Sequence, residues 1–421
     1  MKNKNAIILL LSANTVSGIA QGISMIAVPW HFANILEMPT FFGGLYAIIT
    51  GISLFWGLYV GTMVDKYNRK GIFLTISVTG FFILLIAAMT GFYIGEVHYL
   101  LAGLVFATTY FIYSVHYPNL YAFAQELTET KHYGKIASYI EIQGQFTSML
   151  AGGCAAILLS GVEPISIDLW GYSINIPWTI EKWELQEIFL LDASTYLLAL
   201  GLIVMIHYQP ISIQNKEVGT VKERFFTGLG FLKKNPLLFL FGVCSFSVFV
   251  TILVIGFFLS PIYISNHLHA GAGAYAISDV FFAFGALMAG VGIRWAFRGV
   301  TRIAAVISLT LITACIYFFY TINQDLIWFY LTMMVLGVCN AGVRIMRTVY
   351  IFNHIPNQLI GRTNSVFGTA NVAFRFLFIS SFSLPFFTSG NNVVFAFLIM
   401  GIFVLLSSLP LMVKYRDLIK S

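Results

Sequence analysis

The sequence predicts an all-α membrane protein in which twelve transmembrane helices form two pseudo-symmetric six-helix bundles. Three observations support this fold class. Of the 421 residues, 58% are hydrophobic and only 10% are charged, whereas a soluble globular domain carries about 25% charged residues. Apolar runs long enough to cross a bilayer recur along the whole chain, and short motifs of the first half reappear in the second. A soluble protein of this size is excluded, because too few charges are available to solvate its surface.

Twelve runs of mostly apolar residues reach the length of about 20 residues that a membrane-spanning helix needs. The runs are unbroken and lack the alternation of membrane β-barrel strands, so helices are predicted. The predicted spans are 6–33, 42–64, 71–94, 98–124, 136–160, 186–207, 237–263, 272–294, 302–321, 326–349, 363–387 and 392–413.

The basic residues of the short loops predict the orientation. With the N-terminus placed inside, 19 of the 23 Lys and Arg residues lie on that inner face of the membrane. Of the other four, Lys182 lies on the outer face, and Arg344, Arg347 and Arg375 fall within spans. Because cytoplasmic loops are enriched in Lys and Arg, both termini are predicted to be cytoplasmic. The net charge of +6 is therefore distributed over these loops and does not form a patch that would bind nucleic acid.

The two halves of the chain repeat each other. Residues 44–48 (GLYAI) match residues 273–277 (GAYAI) at an offset of 229, and three further matches follow in the same order at nearly that offset. The predicted domains are residues 1–208, a basic cytoplasmic linker at 209–235, and residues 236–421. Two bundles repeated in parallel orientation place a substrate site between them, near the middle of the bilayer.

A charged motif follows the second span, where residues 61–70 read GTMVDKYNRK. It resembles the G-x-x-x-D-x-x-x-R-[KR] signature of the major facilitator superfamily. Gly61 would allow a close helix contact, and Asp65 at the helix end would pair with Arg69 or Lys70. We expect this gating motif to hold the cytoplasmic face shut in one state and to release it in the other; the alternative is charge that only sets the topology.

A closer resemblance is to the branch that includes bacterial macrolide-efflux proteins and the enterobactin exporter. It rests, besides the motif, on residues 116–118 (HYP), 189–193 (FLLDA), 232–235 (LKKN) and 361–362 (GR). The resemblance implies a secondary active antiporter in the bacterial inner membrane that exports its substrate by alternating access. One departure is residues 106–111 (FATTYF) in the fourth span, which lack the arginine that many proton-driven exporters carry there.

Three arginines lie within the predicted spans, where a charge is costly and marks a functional or a paired site. Arg375 lies near the middle of the eleventh span, and Arg344 and Arg347 lie toward the cytoplasmic end of the tenth. Since a guanidinium group binds a carboxylate through two parallel donors, these arginines are predicted to line the cavity and to bind an anionic substrate. The alternative is that they pair with Glu141 or Asp279 and hold helices together.

Other polar residues in the spans are candidates for coupling and for substrate contact. Glu141 is predicted to carry the coupling proton and Asp279 is the second candidate, because a carboxylate inside the membrane can bind and release a proton; structural pairing is the alternative. Asn14 and Gln21, on one polar stripe of the first span, and Tyr110 in the fourth are predicted to contact substrate, with helix packing as the alternative.

The predicted function is proton-coupled export of an amphipathic, anionic small molecule, such as a siderophore or another organic anion, by a monomer without cofactor or metal. The alternatives are efflux of hydrophobic drugs or macrolides, translocation of lysophospholipids and, from another class, a transporter-like substrate sensor. A membrane enzyme is not predicted, because the sequence has no H-E-x-x-H motif and no converging nucleophile and base. The four cysteines lie in apolar runs without the spacing of a metal site.

Overall fold

The structure is a computed structural model that describes residues 3–129, 132–162, 165–169, 172–176, 179–208 and 221–420; within these ranges, the side chains of a few residues, including Asp65, are not described. In the described part, twelve helical segments are long and apolar enough to cross a membrane, which confirms the predicted fold class. An even number of crossings leaves both termini on one side of the membrane. We call that side the inner face and the opposite side the outer face.

The first half contributes six spans and the second half another six. The spans of the first half are α1 (Lys4–Trp30), α2 (Pro39–Lys66), α3 (Arg69–Ile94), α4 (Tyr99–Glu126), α5 (Tyr133–Ser160) and α6 (Leu185–Val204). After the linker helix α7 (Val221–Lys234), the seventh span is built from α8 (Pro236–Ser245), α9 (Ser247–Val254) and α10 (Ser260–Asn266). The remaining spans are α11 (Ala272–Ala296), α12 (Arg302–Tyr320), α13 (Leu326–His354), α14 (Asn357–Phe382) and α16 (Val393–Val413), with the short helices α15 (Pro385–Thr388) and α17 (Tyr415–Lys420) beside the last of them.

Local sequence signals set several of the helix ends. The side chain of Asn68 accepts hydrogen bonds from the backbone N–H groups of Lys70 and Gly71, and the side chain of Asp325 caps the start of α13 in the same way. These side chains satisfy N–H groups that have no partner within the helix. Gly95 ends α3 at a φ of 97°, a left-handed conformation that glycine adopts without strain.

The first and seventh spans are irregular at their outer ends. Span 1 continues beyond α1 as a π-helical turn at His31–Ile35, and Pro29 removes one backbone donor just before it. In span 7, a second π-helical turn at Ile255–Leu259 joins α9 to α10. A π turn inserts extra backbone into an α-helix and occurs often at functional sites.

Two elements were not predicted. Val221–Lys234, within the segment expected to be a linker, forms the amphipathic helix α7, which packs against α14 near Gly228 and Arg362. Between α5 and α6, strands β1 (Ile165–Leu169) and β2 (Tyr172–Ile176) form an antiparallel hairpin in which Ile167 pairs with Ile174. The hairpin lies outside the predicted spans, so it leaves the assignment of the membrane-crossing segments unchanged.

Each half is packed around its own helices, and two pairs of helices make the most extensive contacts between the halves. In the first half α1 lies between α5 and α6, and α3 packs on α6; in the second half α11 packs on α13, and α12 on α16. The α11–α13 contact is close, since a Cβ atom at Gly285 would collide with the carbonyl oxygen of Met334. The halves meet along α5–α11 and α2–α14, so any site between them lies between these two seams.

Candidate functional site

Aromatic side chains close the space between the halves toward the outer face. Trp30 stacks on Tyr275 with ring centroids 6.2 Å apart, and Phe42 approaches Phe258 with centroids 6.4 Å apart. All four residues are buried, and each pair joins the first half to the second. We call these four residues the aromatic barrier.

The seam between α5 and α11 has no room for a larger side chain at Gly152. A Cβ atom there would lie 2.8 Å from Cγ2 of Val280 and 3.0 Å from the carbonyl oxygen of Ala276. At the same seam, the hydroxyl of Ser148 donates to Oδ2 of Asp279 across the two halves at 3.4 Å. Asp279, the second predicted proton carrier, therefore lies in the contact between the halves.

An ion pair joins the halves closer to the inner face. Arg344 Nη2 of α13 lies 3.2 Å from Glu141 Oε2 of α5, and the two side chains are 43% and 52% exposed. The hydroxyl of Tyr121 donates to Glu141 Oε1 at 2.8 Å. Because groups from opposite halves meet here and remain exposed, they face an open crevice between the halves. Glu141, which is predicted to carry the coupling proton, is therefore half exposed in this structure and is paired with Arg344.

Three tyrosines of α4 line the crevice beside this ion pair. Tyr113, Tyr117 and Tyr121 are spaced by four residues and so share one helix face. The rings of Tyr113 and Tyr117 are 4.6 Å apart between centroids, and Tyr113 is 52% exposed. We call these residues the tyrosine face; it offers flat apolar surface with hydroxyl groups along its edge.

Arg375 of α14 reaches across to the first half, between the ion pair and the aromatic barrier. Its Nη1 donates to the hydroxyl of Tyr110 at 3.2 Å, and the ring of Tyr110 meets that of Tyr46 edge-on at 6.1 Å between centroids. Arg375 is 7% exposed, its Nε atom has no hydrogen-bond partner, and no carboxylate of the described residues lies within 4.0 Å of it. Within the part of the chain that the structure describes, the site thus holds a buried cation without an acidic partner.

The position of Arg375 along its helix follows from where α14 ends. Because α14 ends at Phe382, Arg375 is seven residues from its outer end, which corresponds to about 10 Å at the rise of an α-helix. The prediction had placed it near the middle of the membrane, because the apolar run continues to residue 387. Arg375 therefore lies in the outer half of α14, and its depth in the membrane stays a prediction.

Arg347 is held inside the second half. Its Nη1 donates to the carbonyl oxygen of Ser245 at 3.0 Å, and its guanidinium carbon lies 3.6 Å from the centroid of the Phe246 ring. Ser245 and Phe246, where α8 meets α9, thus provide a backbone carbonyl oxygen and an aromatic ring face to this buried guanidinium group. Arg347 was predicted to bind substrate, but in this structure it stabilises the break in span 7.

The polar stripe of α1 divides between different partners. Asn14 Oδ1 lies 2.6 Å from Nε2 of His116 on α4, and Ser24 donates to Oδ2 of Asp192 on α6 at 2.7 Å. Gln21 differs, since its buried Nε2 atom has no hydrogen-bond partner among the described residues. The helix-packing alternative therefore describes Asn14, whereas Gln21 retains a free donor for a ligand.

The motif between α2 and α3 is anchored by partners that the sequence did not indicate. Arg69 Nε lies 3.3 Å from Oε1 of Glu126 at the end of α4. Lys70 Nζ donates to the carbonyl oxygens of Val204 and Ile206, at 2.8 and 2.9 Å. These oxygens belong to the C-terminal end of α6, where a cation is favoured by the helix dipole.

The expected partnership of Asp65 cannot be placed, because its side chain lies outside the described residues, and the packing around Gly61 is likewise not described. Glu126 was overlooked because it lies 57 positions from Arg69 in the sequence. The one available signal was a carboxylate at the inner end of the fourth span, next to a loop rich in basic residues.

Known proteins that resemble this chain agree with the topology of twelve spans. A sequence model of the Major Facilitator Superfamily matches residues 10–379, and no curated protein sequence matches the chain. Among solved structures, the chain is similar to the nucleoside transporter NupG (12% identity, TM-score 0.69, covering 98% of this chain and 99% of that one). It is also similar to the D-xylose-proton symporter (15%, 0.68, 96% and 97%) and to a bacterial homologue of the iron transporter ferroportin in the inward-facing state (15%, 0.66, 96% and 98%).

Proposed function

The chain belongs to the Major Facilitator Superfamily, and on that premise we propose that it exports an amphipathic organic anion by alternating access. It is a multi-pass integral membrane protein and a transporter rather than an enzyme. Beyond the family assignment, we propose the chemical class of the cargo, the direction of transport, which is export, and the coupling ion, which is a proton. We also take the membrane to be a bacterial inner membrane with both termini in the cytoplasm, and the working unit to be a monomer.

The observation that carries the proposal is the buried guanidinium group of Arg375, which is hydrogen-bonded to Tyr110 and has no carboxylate partner among the described residues. A buried charge without a counter-ion is strongly unfavourable, and a ligand that supplies the missing charge gains a charge-assisted hydrogen bond. A hydrogen bond to a charged group contributes about 1.5–3 kcal/mol, which corresponds to roughly tenfold or more in affinity. The cargo best matched to this end of the crevice is therefore a carboxylate or a similar anion.

The tyrosine face suits the rest of such a molecule. Stacked and edge-on tyrosine rings bind flat apolar groups, and their hydroxyls accept or donate hydrogen bonds. An aromatic carboxylate would place its ring against Tyr113 and Tyr117 and its charge toward Arg344 or Arg375. The export direction and the exporter branch rest on the motif resemblance, and they remain predictions.

A second candidate is efflux of an uncharged aromatic compound, such as a hydrophobic drug. The exposed tyrosine face favours it, because aromatic stacking requires no charge on the cargo. The buried guanidinium counts against it, since a neutral cargo would leave that charge unpaired.

Transport by proteoliposomes tests the proposal. Uptake of radiolabelled benzoate and naphthoate is compared with uptake of the neutral benzamide and naphthamide. We expect the carboxylates to be transported and Arg375→Gln to reduce their transport by about tenfold or more. The matched control Arg298→Gln, an exposed arginine beyond the end of α11, should transport like the wild type. Equal transport of acids and amides, or unchanged transport by Arg375→Gln, refutes the anion assignment.

A further inference from the structure

A groove runs along the outside of the first half, toward the outer face. Its volume is about 400 Å³, and it lies between α1, α5 and α6, with Trp183 beside it. All the residues that line it belong to the first half. One of them, Cys154, follows Gly152 by two residues, or about 200° around the helix, so it lies on the side of α5 opposite the seam with α11. This groove, which we call the outer groove, is therefore separate from the crevice between the halves.

The lining of the outer groove matches a hydrocarbon chain. The three helices contribute apolar side chains with one exception, Thr195, whose hydroxyl donates to the backbone oxygen of Asp192 at 2.8 Å. A polar ligand would lose its hydrogen bonds to water along this wall without replacing them, which is unfavourable. Ile157, which also lines the groove, is 42% exposed. The groove thus opens to the surroundings of the protein, which at this depth are the acyl chains of the bilayer.

The length of the outer groove corresponds to one leaflet of the membrane. Its lining extends from Trp183, just before α6, to Thr195, which is ten residues beyond the start of α6 at Leu185. Ten residues of an α-helix rise about 15 Å, which is half of the hydrocarbon thickness of about 30 Å. The acyl chain of a lipid in the outer leaflet would therefore lie along α6 over most of its length.

The outer end of the groove carries charges of both signs. The backbone N–H of Trp183 donates to the carbonyl oxygen of Leu158 at 2.8 Å, which ties it to the end of α5, at the membrane surface where tryptophan is favoured. Lys182 is exposed next to it, and the exposed residues Glu181 and Glu184 lie on either side in the sequence. A zwitterionic headgroup can pair its phosphate with the lysine and its ammonium group with a carboxylate. An anionic headgroup would meet two carboxylates and one ammonium group, which is net repulsion.

We propose that the outer groove binds a phospholipid with a zwitterionic headgroup, with one acyl chain along α6 and the phosphate at Lys182. The inference goes beyond the proposed function, since the groove shares no residue with the tyrosine face or the aromatic barrier. The lipid is a resident of the groove and not a cargo, because alternating access moves a solute between the halves. Its chain supplies the van der Waals contacts that the lining side chains lack on their open side.

Photo-crosslinking in proteoliposomes tests this site. The probe is phosphatidylcholine with a diazirine midway along one acyl chain, diluted into unlabelled phosphatidylcholine, and labelled residues are located by mass spectrometry. We expect labelling around Cys154 and Leu191 to exceed severalfold the labelling around Ile312, which is 40% exposed on α12. Replacing half of the unlabelled lipid by phosphatidylglycerol should raise the labelling of the groove, because the anionic lipid competes less well with the probe.

Two variants fill the groove. Cys154→Phe places a ring within it, and the matched control Cys315→Phe makes the same change at an exposed cysteine of α12. Ile157→Trp fills the groove from its exposed rim, so that it does not depend on how the packed side of α5 tolerates a larger residue. Both filling variants should lower the labelling of α6 around Leu191 by about tenfold or more, and the control should label like the wild type.

A third variant addresses the headgroup. Lys182→Gln should lower the labelling of the groove by about two- to fivefold, as expected for the loss of an exposed ion pair. The matched control is Lys135→Gln, at an exposed lysine of the inner face, and it should have no effect.

Four outcomes overturn the proposal. Labelling of the groove equal to that around Ile312 would mean that lipid only coats the protein, and full labelling around Leu191 in both filling variants would place the lipid elsewhere. Stronger competition by phosphatidylglycerol than by phosphatidylcholine would rule out the zwitterionic headgroup. A disulfide between the Cys154 thiols of two copies, formed by oxidation in the vesicles, would make the groove an interface between two chains. None of these outcomes bears on anion transport, which is measured separately.

Discussion

Gly152→Ala should shift the protein away from the conformation described here. In this structure the glycine lies against α11, where an added Cβ atom would meet both Cγ2 of Val280 and the backbone oxygen of Ala276. Alternating access requires α5 and α11 to separate in this outer region when the outer side opens. The added methyl group would therefore be accommodated in a conformation open toward the outer face. It would be crowded in the conformation described here, which is closed at the outer face and which we call inward-open.

The distances set the size of the effect. Carbon atoms in favourable contact are about 3.5–4.0 Å apart, whereas the new Cβ atom would be 2.8 Å from Val280 and 3.0 Å from Ala276. The side chain of Val280 can rotate away from the new Cβ atom, but the backbone oxygen of Ala276 cannot. Helices α5 and α11 must therefore move apart by a few tenths of an ångström or more. Overpacking of this kind costs about 1–3 kcal/mol, which lowers the inward-to-outward population ratio by roughly 5- to 150-fold.

Spin labels at Lys135 and Arg298 report this shift. Both residues are exposed at the inner ends of their segments, and the distance between them should shorten when the inner side closes. In a background without the native cysteines, double electron–electron resonance should give a larger short-distance population for Gly152→Ala than for the wild type.

The neighbouring glycine is a matched control. A Cβ atom at Gly153 meets nothing within 4 Å, and Gly153→Ala brings the same gain in helix propensity, about 1 kcal/mol, in both conformations. Its distance distribution should equal that of the wild type. If Gly152→Ala and Gly153→Ala give the same distribution, the close α5–α11 contact does not stabilise this state.

Two further predictions concern stability. Ser24→Ala removes the donor to Asp192, a fully buried carboxyl whose other oxygen has no partner among the described residues. We expect a loss of about 1–3 kcal/mol in the free energy of unfolding, seen as a lower thermal unfolding midpoint. A midpoint equal to that of the wild type would show that the contact contributes nothing. Lys70→Met removes two hydrogen bonds to the end of α6 and should lower the free energy of unfolding by about 0.5–1 kcal/mol. The control Lys66→Met, at an exposed lysine nearby, should leave the thermal unfolding midpoint unchanged in the same measurement.

The sequence predicted the spans because hydropathy and length are local properties of the chain. It missed α7 because a short amphipathic helix in a basic segment resembles a polar linker when only average polarity is considered. It also missed the β1–β2 hairpin, although Ile165 and Ile167 alternate with polar residues in the pattern of a strand. In both cases the information lay in the periodicity rather than in the composition.

The candidate site was predictable only in part. Depth within a span identified Arg375 and Arg344 as unusual, because a charge in the bilayer needs an explanation. The partners are long-range contacts: Arg344 and Glu141 are 203 positions apart, and no local pattern joins them. The alternative that these arginines pair with acids describes Arg344. Arg375 has no such partner among the residues that the structure describes, and Arg347 contacts a carbonyl oxygen and an aromatic ring.

The irregular outer ends of spans 1 and 7 bear on how the closed side would open. Both π-helical turns, His31–Ile35 and Ile255–Leu259, directly adjoin or include aromatic barrier residues, namely Trp30 and Phe258. Extra backbone in a helix weakens its regular hydrogen-bond ladder, so bending there costs less than bending a continuous helix. The short outer segments of spans 1 and 7 can therefore tilt at lower cost than a continuous helix, and such tilting would act directly on Trp30 and Phe258.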